Sequence, residues 1–156
     1  MYTNGTMLEG TAQAATKRFS LFELLLVIAV LGLLSTIAII AIGNARQKAR
    51  DAARLEDMRE VEVALQLYFN DRNRYPEAKE AVVLGQGNFD CLAEGGWAAG
   101  GCESIYLSDA PSNPTPNGAP YKYTSDGSSY RVEFELETAV GDRSVGPHSL
   151  TPEGIK

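Results

Sequence analysis

A chain of 156 residues with a formal net charge of −6 is long enough for one small domain beside a membrane segment, but not for two. Residues 71–156 hold seven Lys or Arg against thirteen Asp or Glu, while residues 44–70 hold five of each, so the acidity belongs to the C-terminal part. Such a surface repels phosphate and disfavours sequence-independent nucleic-acid binding, and the single His148 leaves too little for a Ser-His-Asp triad or a histidine-rich metal site, so no enzyme is read from this chain.

From Leu24 to Ile42 the chain carries nineteen residues without a formal charge, interrupted only by Gly32, Ser35 and Thr36. At ~1.5 Å per residue a helix of that length spans a ~30 Å hydrocarbon core. A secretory signal peptide would be shorter and would end at a small-residue cleavage site, whereas this run flows directly into "GNARQKARDAARLEDMRE". Lys17 and Arg18 favour a cytoplasmic N-terminus, but Arg46, Lys48, Arg50 and Arg54 pull the other way, so charge leaves the orientation open. Glu23 is set four residues inside the longer apolar run that starts at Phe19. A carboxylate at bilayer depth costs about 2.5 to 3.5 kcal/mol on insertion scales, so an acid kept there calls for a partner.

Beyond Gly43 the helical pattern continues, with Leu55, Met58, Val61, Leu65 and Tyr68 three and four residues apart on one face. An isolated glycine costs ~1 kcal/mol relative to Ala and need not end a helix, so one helix is predicted from about Phe19 to Asn70. Its length would be close to ~80 Å. Asp51 with Arg54, and Glu56 with Arg59, are opposite charges three apart and read as pairs on its wetter side. Asn70, Asp71 and Asn73, which tolerate left-handed backbone, and then Pro76 end the helix.

Cys91 and Cys102 enclose the glycine-rich loop "CLAEGGWAAGGC". An extracytoplasmic loop would make them a disulfide, the alternatives being two buried thiols or, with no second pair present, a zinc half-site. Farther on, Tyr130, Val132, Phe134 and Leu136 alternate with Arg131, Glu133, Glu135 and Glu137, which is the pattern of a strand buried on one face. "YKYT" and "SYRVEFELE" flank "SDGS", a hairpin signal. The stripe from Leu55 to Tyr68 is the natural cover for the apolar face, giving an α+β architecture with a long N-terminal helix packed on a small antiparallel sheet. Trp97 and the tyrosines read as packing residues.

With these residues in view the chain resembles the superfamily of type IV pilins and type II secretion pseudopilins. Phe19-Ser20-Leu21-Phe22-Glu23-Leu24-Leu25 is similar to that family's processing motif, an aromatic first residue of the mature chain followed four residues later by glutamate. A weaker likeness runs through "LYFNDRNRYP", "NPTPNGAPYKYTSDGSSY" and "HSLTPEGI". The resemblance implies residues 1–18 as a leader, 19–43 as the transmembrane and polymerisation helix, 44–70 as the amphipathic half of the same helix, and 71–156 as the acidic head. It implies cleavage between Arg18 and Phe19 by a prepilin peptidase, methylation at Phe19, and pairing of Glu23 with the Phe19 amine of a neighbouring subunit. Arg18 departs from the family pattern, which has glycine before the cut.

The same likeness implies a single-pass protein of the inner membrane with an extracytoplasmic head. Its partners would be further copies of itself in a helical filament, the peptidase and an inner-membrane assembly platform, with no nucleic acid for the subunit alone. Major pseudopilins often hold calcium in the loop before the hairpin; here Asp109, Asn113 and Asp126 are the candidate ligands, Asn113-Pro114 standing where an Asp-Pro is expected. The spacing is not that of a dedicated calcium loop, and otherwise no cofactor is expected. A rival expectation is an uncleaved, membrane-anchored binding module whose Glu23 snorkels to the interface or stays protonated.

Overall fold

With no proline between Leu21 and Arg72, nothing in that stretch forbids continuous helical hydrogen bonding, and the chain forms one helix, α1 (Leu21–Arg72). The structure, a computed structural model, describes residues 20–103 and 106–156. Gly43 lies inside α1 with open space where a side chain would be, and it does not interrupt the helix. At the C-terminal end Asn73 adopts a left-handed conformation with φ 54° and donates its backbone N–H to the Phe69 carbonyl at 2.7 Å, the αL cap expected of an asparagine. Tyr75 N–H then bonds the Gly127 carbonyl at 2.9 Å, which ties the exit of the helix to the sheet.

The chain divides into two compact units at the junction between Ile40 and Ala41. Among the described residues of the C-terminal unit seven strands follow α1: β1 (Ala78–Val83), β2 (Cys91–Ala93), β3 (Gly96–Ala98), β4 (Lys122–Ser125), β5 (Tyr130–Leu136), β6 (Gly146–Thr151) and β7 (Gly154–Ile155). Five of them form one antiparallel sheet in the order β1-β4-β5-β6-β7, and β2 with β3 makes a separate hairpin. The register of β4 on β5, with Tyr123 opposite Val132 and Ser125 opposite Tyr130, closes the hairpin at Asp126-Gly127 as the turn sequence implies.

Alternation along β5 is complete: Tyr130, Val132, Phe134 and Leu136 are buried, and Arg131, Glu133 and Glu135 are exposed. Met58, Val61, Leu65 and Tyr68 of α1 belong to the same core cluster as those strand residues. Burial on this scale contributes about 1.5 to 3 kcal/mol per large apolar side chain, so helix and sheet stabilise each other as one α+β unit. Aromatic rings complete the core, Trp97 meeting Tyr123 edge-on at 5.4 Å and Tyr75 meeting Tyr130 at 4.7 Å.

One expectation is corrected. Asp51 and Arg54, read as a solvated pair, are both fully buried, at 0% exposure. Glu56 and Arg59 do lie on the wet face as expected, 3.4 Å apart.

Candidate functional site

The N-terminal unit is a helical surface without cover. Among the described residues, Leu21, Phe22, Leu24, Leu25, Leu31 and Ile40 are representative of a segment in which every large apolar side chain is exposed, and the helix is long and apolar enough to cross a membrane. The two hydroxyls within the apolar run are satisfied internally: Ser35 Oγ donates to the Leu31 carbonyl and Thr36 Oγ1 to the Leu33 carbonyl, each at 2.7 Å. Such back-bonding lets two hydroxyls sit in lipid without leaving a donor unpaired. Glu23 lies exposed in the first turn of α1, where a negative charge complements the positive end of the helix dipole. Arg18 and Phe19, the expected processing residues, lie outside the described residues.

The second constellation is electrostatic and lies in the head. Arg54 aims its guanidinium at five oxygens. Nε donates to Asn113 Oδ1 at 2.7 Å, Nη1 meets Asp51 Oδ1 at 2.7 Å and Glu137 Oε1 at 2.8 Å, and Nη2 meets the carbonyls of Asn117 at 2.5 Å and Pro114 at 3.4 Å. Asp51 also accepts from the backbone N–H of Glu137 at 2.9 Å, and from Thr138 N–H and Oγ1 at 2.7 and 2.6 Å. Arg50 forks onto both Glu137 oxygens, Nε to Oε1 at 2.7 Å and Nη2 to Oε2 at 2.6 Å. Two cations and two carboxylates thus form a neutral cluster joining α1, the loop before β4 and the chain after β5.

The titration of the carboxylates follows from these contacts. Hydrogen bonding from Arg50, reinforced by Asn117 and Arg54, holds Glu137 far below the usual carboxylate range against the opposing effect of burial. For Asp51 burial pushes upward, but the bonds from Thr138, the Glu137 N–H and Arg54 outweigh it, and the net shift is downward. Nearby, Asp57 moves the other way: burial raises it despite the bond it accepts from Tyr121 Oη at 2.7 Å.

Cys91 and Cys102 are joined in a disulfide, with their Cα atoms 6.5 Å apart, closing the loop that contains the β2–β3 hairpin. Two of the three residues named for calcium, Asn113 and Asp126, have partners of their own. Asp126 Oδ1 caps the β4–β5 turn, accepting from Ser128 N–H and Oγ and from Ser129 N–H at 2.8 to 2.9 Å. That turn abuts Tyr75, beyond the C-terminus of α1, whereas Asn113 lies against Arg54, some five helical turns earlier. Asp109 is exposed, four positions before Asn113 in sequence. Among the described residues no three His, Cys, Asp or Glu side chains gather at metal-binding spacing.

Sequence reasoning did not anticipate Arg50, Asn117, Glu137 and Thr138 as one site. Its only local sign was the Asp51–Arg54 spacing, which fits a solvated pair equally well.

Compared with known proteins, the chain is 28% identical over 120 residues to type II secretion system core protein G of Aeromonas hydrophila, covering 74% of this chain and 78% of that protein. No family model matches the chain, and no solved structure matches it.

Proposed function

We propose that this pilin- and pseudopilin-like chain is a structural subunit of a type II secretion pseudopilus, held in the membrane by the first half of α1 and polymerised through it. The observation that carries this reading is the exposed apolar helix with one acid in its first turn, on a chain similar to a secretion-system core protein. A lone carboxylate at the edge of a wholly apolar segment makes physical sense where assembly supplies a cation. In a bundle of such helices the Phe19 amine of the neighbouring copy is that cation, once residues 1–18 are removed by a prepilin peptidase and the new end is methylated. In a dry bundle neither charge tolerates isolation, so the pair fixes axial register even where its net stabilisation is small.

The filament would be built from the inner membrane by an assembly platform, with the acidic head outside the cytoplasm, where the Cys91–Cys102 bridge is at home. The protein has no catalytic role of its own. In a host carrying the secretion machinery and its peptidase, Glu23→Ala should abolish sheared filaments while the protein still accumulates in the membrane. Wild-type filament yield from Glu23→Ala would remove the pairing from the account.

A second reading has one specific feature behind it, Arg18 in the place where a pilin-like precursor carries glycine. If that bond is not cut, the chain is a membrane-anchored binding module that does not polymerise, and Glu23 has no partner.

A further inference from the structure

The likeness to major pseudopilins brings with it the expectation of a calcium ion in the loop before the hairpin, and the donor set in this chain does not fit one. We infer that the Arg54 guanidinium is the resident cation of this loop, so that the head folds and holds its shape without a divalent metal.

Calcium in proteins takes six to eight oxygens at roughly 2.3 to 2.6 Å, drawn from carboxylates and backbone carbonyls. Oxygens of that kind do converge here: the Asn113 side chain, the carbonyls of Pro114 and Asn117, and the carboxylates of Asp51 and Glu137. All of them lie within 3.4 Å of the Arg54 guanidinium nitrogens, four as hydrogen-bond acceptors and Glu137 Oε1 as an ion-pair contact at 2.8 Å. The side chain is fully buried. Every oxygen in the set already faces a covalently held cation.

Gly118 supports the same assignment. It has φ +98°, and a Cβ added there would stand 2.9 Å from Arg54 Nη2 and 3.0 Å from the Asn113 amide. The loop backbone is drawn so close around the guanidinium that a side chain at this position would displace it. Asn113 Nδ2, donating to the Asn117 carbonyl at 2.8 Å, closes the loop on itself across the arginine.

The two solutions behave differently. A bound ion leaves when its concentration falls below its dissociation constant, whereas a guanidinium is covalently attached and always charged. Arg54 also belongs to α1, so the loop is fastened to the helix rather than to a diffusible ligand.

The test uses the full chain in detergent, with thermal unfolding followed in EGTA and again in 5 mM calcium chloride (about 5 mM being ample for the 10⁻³–10⁻⁴ M affinities of extracellular modules). The inference predicts midpoints that agree within about 1 °C, a shift well below that of a bound ligand in excess. In EGTA, Arg54→Ala should fall by roughly 10 °C or more, because two carboxylates lose their buried partner, and Arg54→Lys should fall less because it keeps the charge. A wild-type midpoint that rises several degrees with calcium and returns with EGTA would overturn the assignment. So would an Arg54→Ala chain as stable in EGTA as the wild type. If Arg54→Ala does not fold at all, the loss agrees with the inference, and the wild-type comparison still decides it. None of these outcomes depends on whether the chain polymerises.

Discussion

At Arg54 a single side chain determines how three distant segments meet, and its partners are spread over more than eighty residues of sequence. Asp51 was visible as its neighbour three positions back, yet opposite charges at that spacing ordinarily decorate a wet face. What set the pair apart was the convergence of Asn113, Asn117 and Glu137 from the far end of the chain, a tertiary fact with no local signature. Removing one member should therefore cost far more than a surface pair would. Asp51→Ala strips Arg54 of a carboxylate and leaves the N–H groups of Glu137 and Thr138 without an acceptor, and should lower stability by about 3 to 5 kcal/mol in a urea titration. Glu56→Ala, on the exposed pair, should leave the same transition where it was. The pH dependence has a definite sign. Asp51 and Glu137 bind protons less readily in the folded chain than in the unfolded one, so their contribution is complete above the ordinary carboxylate range near 4 and is lost as the pH falls below it. Asp57, with its raised value, opposes that loss only in part, since Asp126 and Glu153 are shifted down as well. The head should resist urea better at pH 7 than at pH 3.

At the scale of elements, legibility followed periodicity. The stripe from Leu55 to Tyr68, with Leu55 only partly buried at its margin, and the alternation of β5 were plain because each buries one face of a regular element, and the Asp126-Gly127 turn marked the hairpin between β4 and β5. The outer strands were not legible. Gly146-Pro147-His148 opens β6 with two residues that weaken strand propensity, and β7 is only two residues long, so neither shows a run of alternating character. They are strands because β5 offers a free edge, and Val132 through Leu136 pair with Leu150 through Gly146. Leu65, wholly buried in the helix stripe, is the residue whose truncation best probes this packing: Leu65→Ala should cost about 2 to 5 kcal/mol. The cysteine bridge acts at the same scale through the unfolded chain. Replacing Cys91 and Cys102 together by serine releases a loop of sequence separation 11 and should lower stability by about 2 to 3 kcal/mol, read by denaturation with and without a reductant as control.

For the molecule as a whole, the two units have opposite surfaces. The N-terminal unit exposes apolar side chains along its described length, whereas the C-terminal one buries a complete core and shows charge outside. An apolar helix of this kind requires lipid or other helices around it, and a filament subunit meets both in turn, first in the membrane and then in the bundle. The apolar run and Glu23 were legible from composition alone; the partner of Glu23 was not, because on this reading it belongs to another copy of the chain. Cleavage of the bond between Arg18 and Phe19 decides between a filament subunit and a membrane-anchored monomer. The decisive measurement is the intact mass and N-terminal sequence of the protein recovered from membranes of a host with a matching prepilin peptidase. A mass equal to residues 19–156, with or without one methyl group, is the predicted result, since it supplies the amine that the proposed pairing of Glu23 needs. A mass that retains residues 1–18 would contradict it and leave a membrane-anchored relative of the pilins that does not assemble.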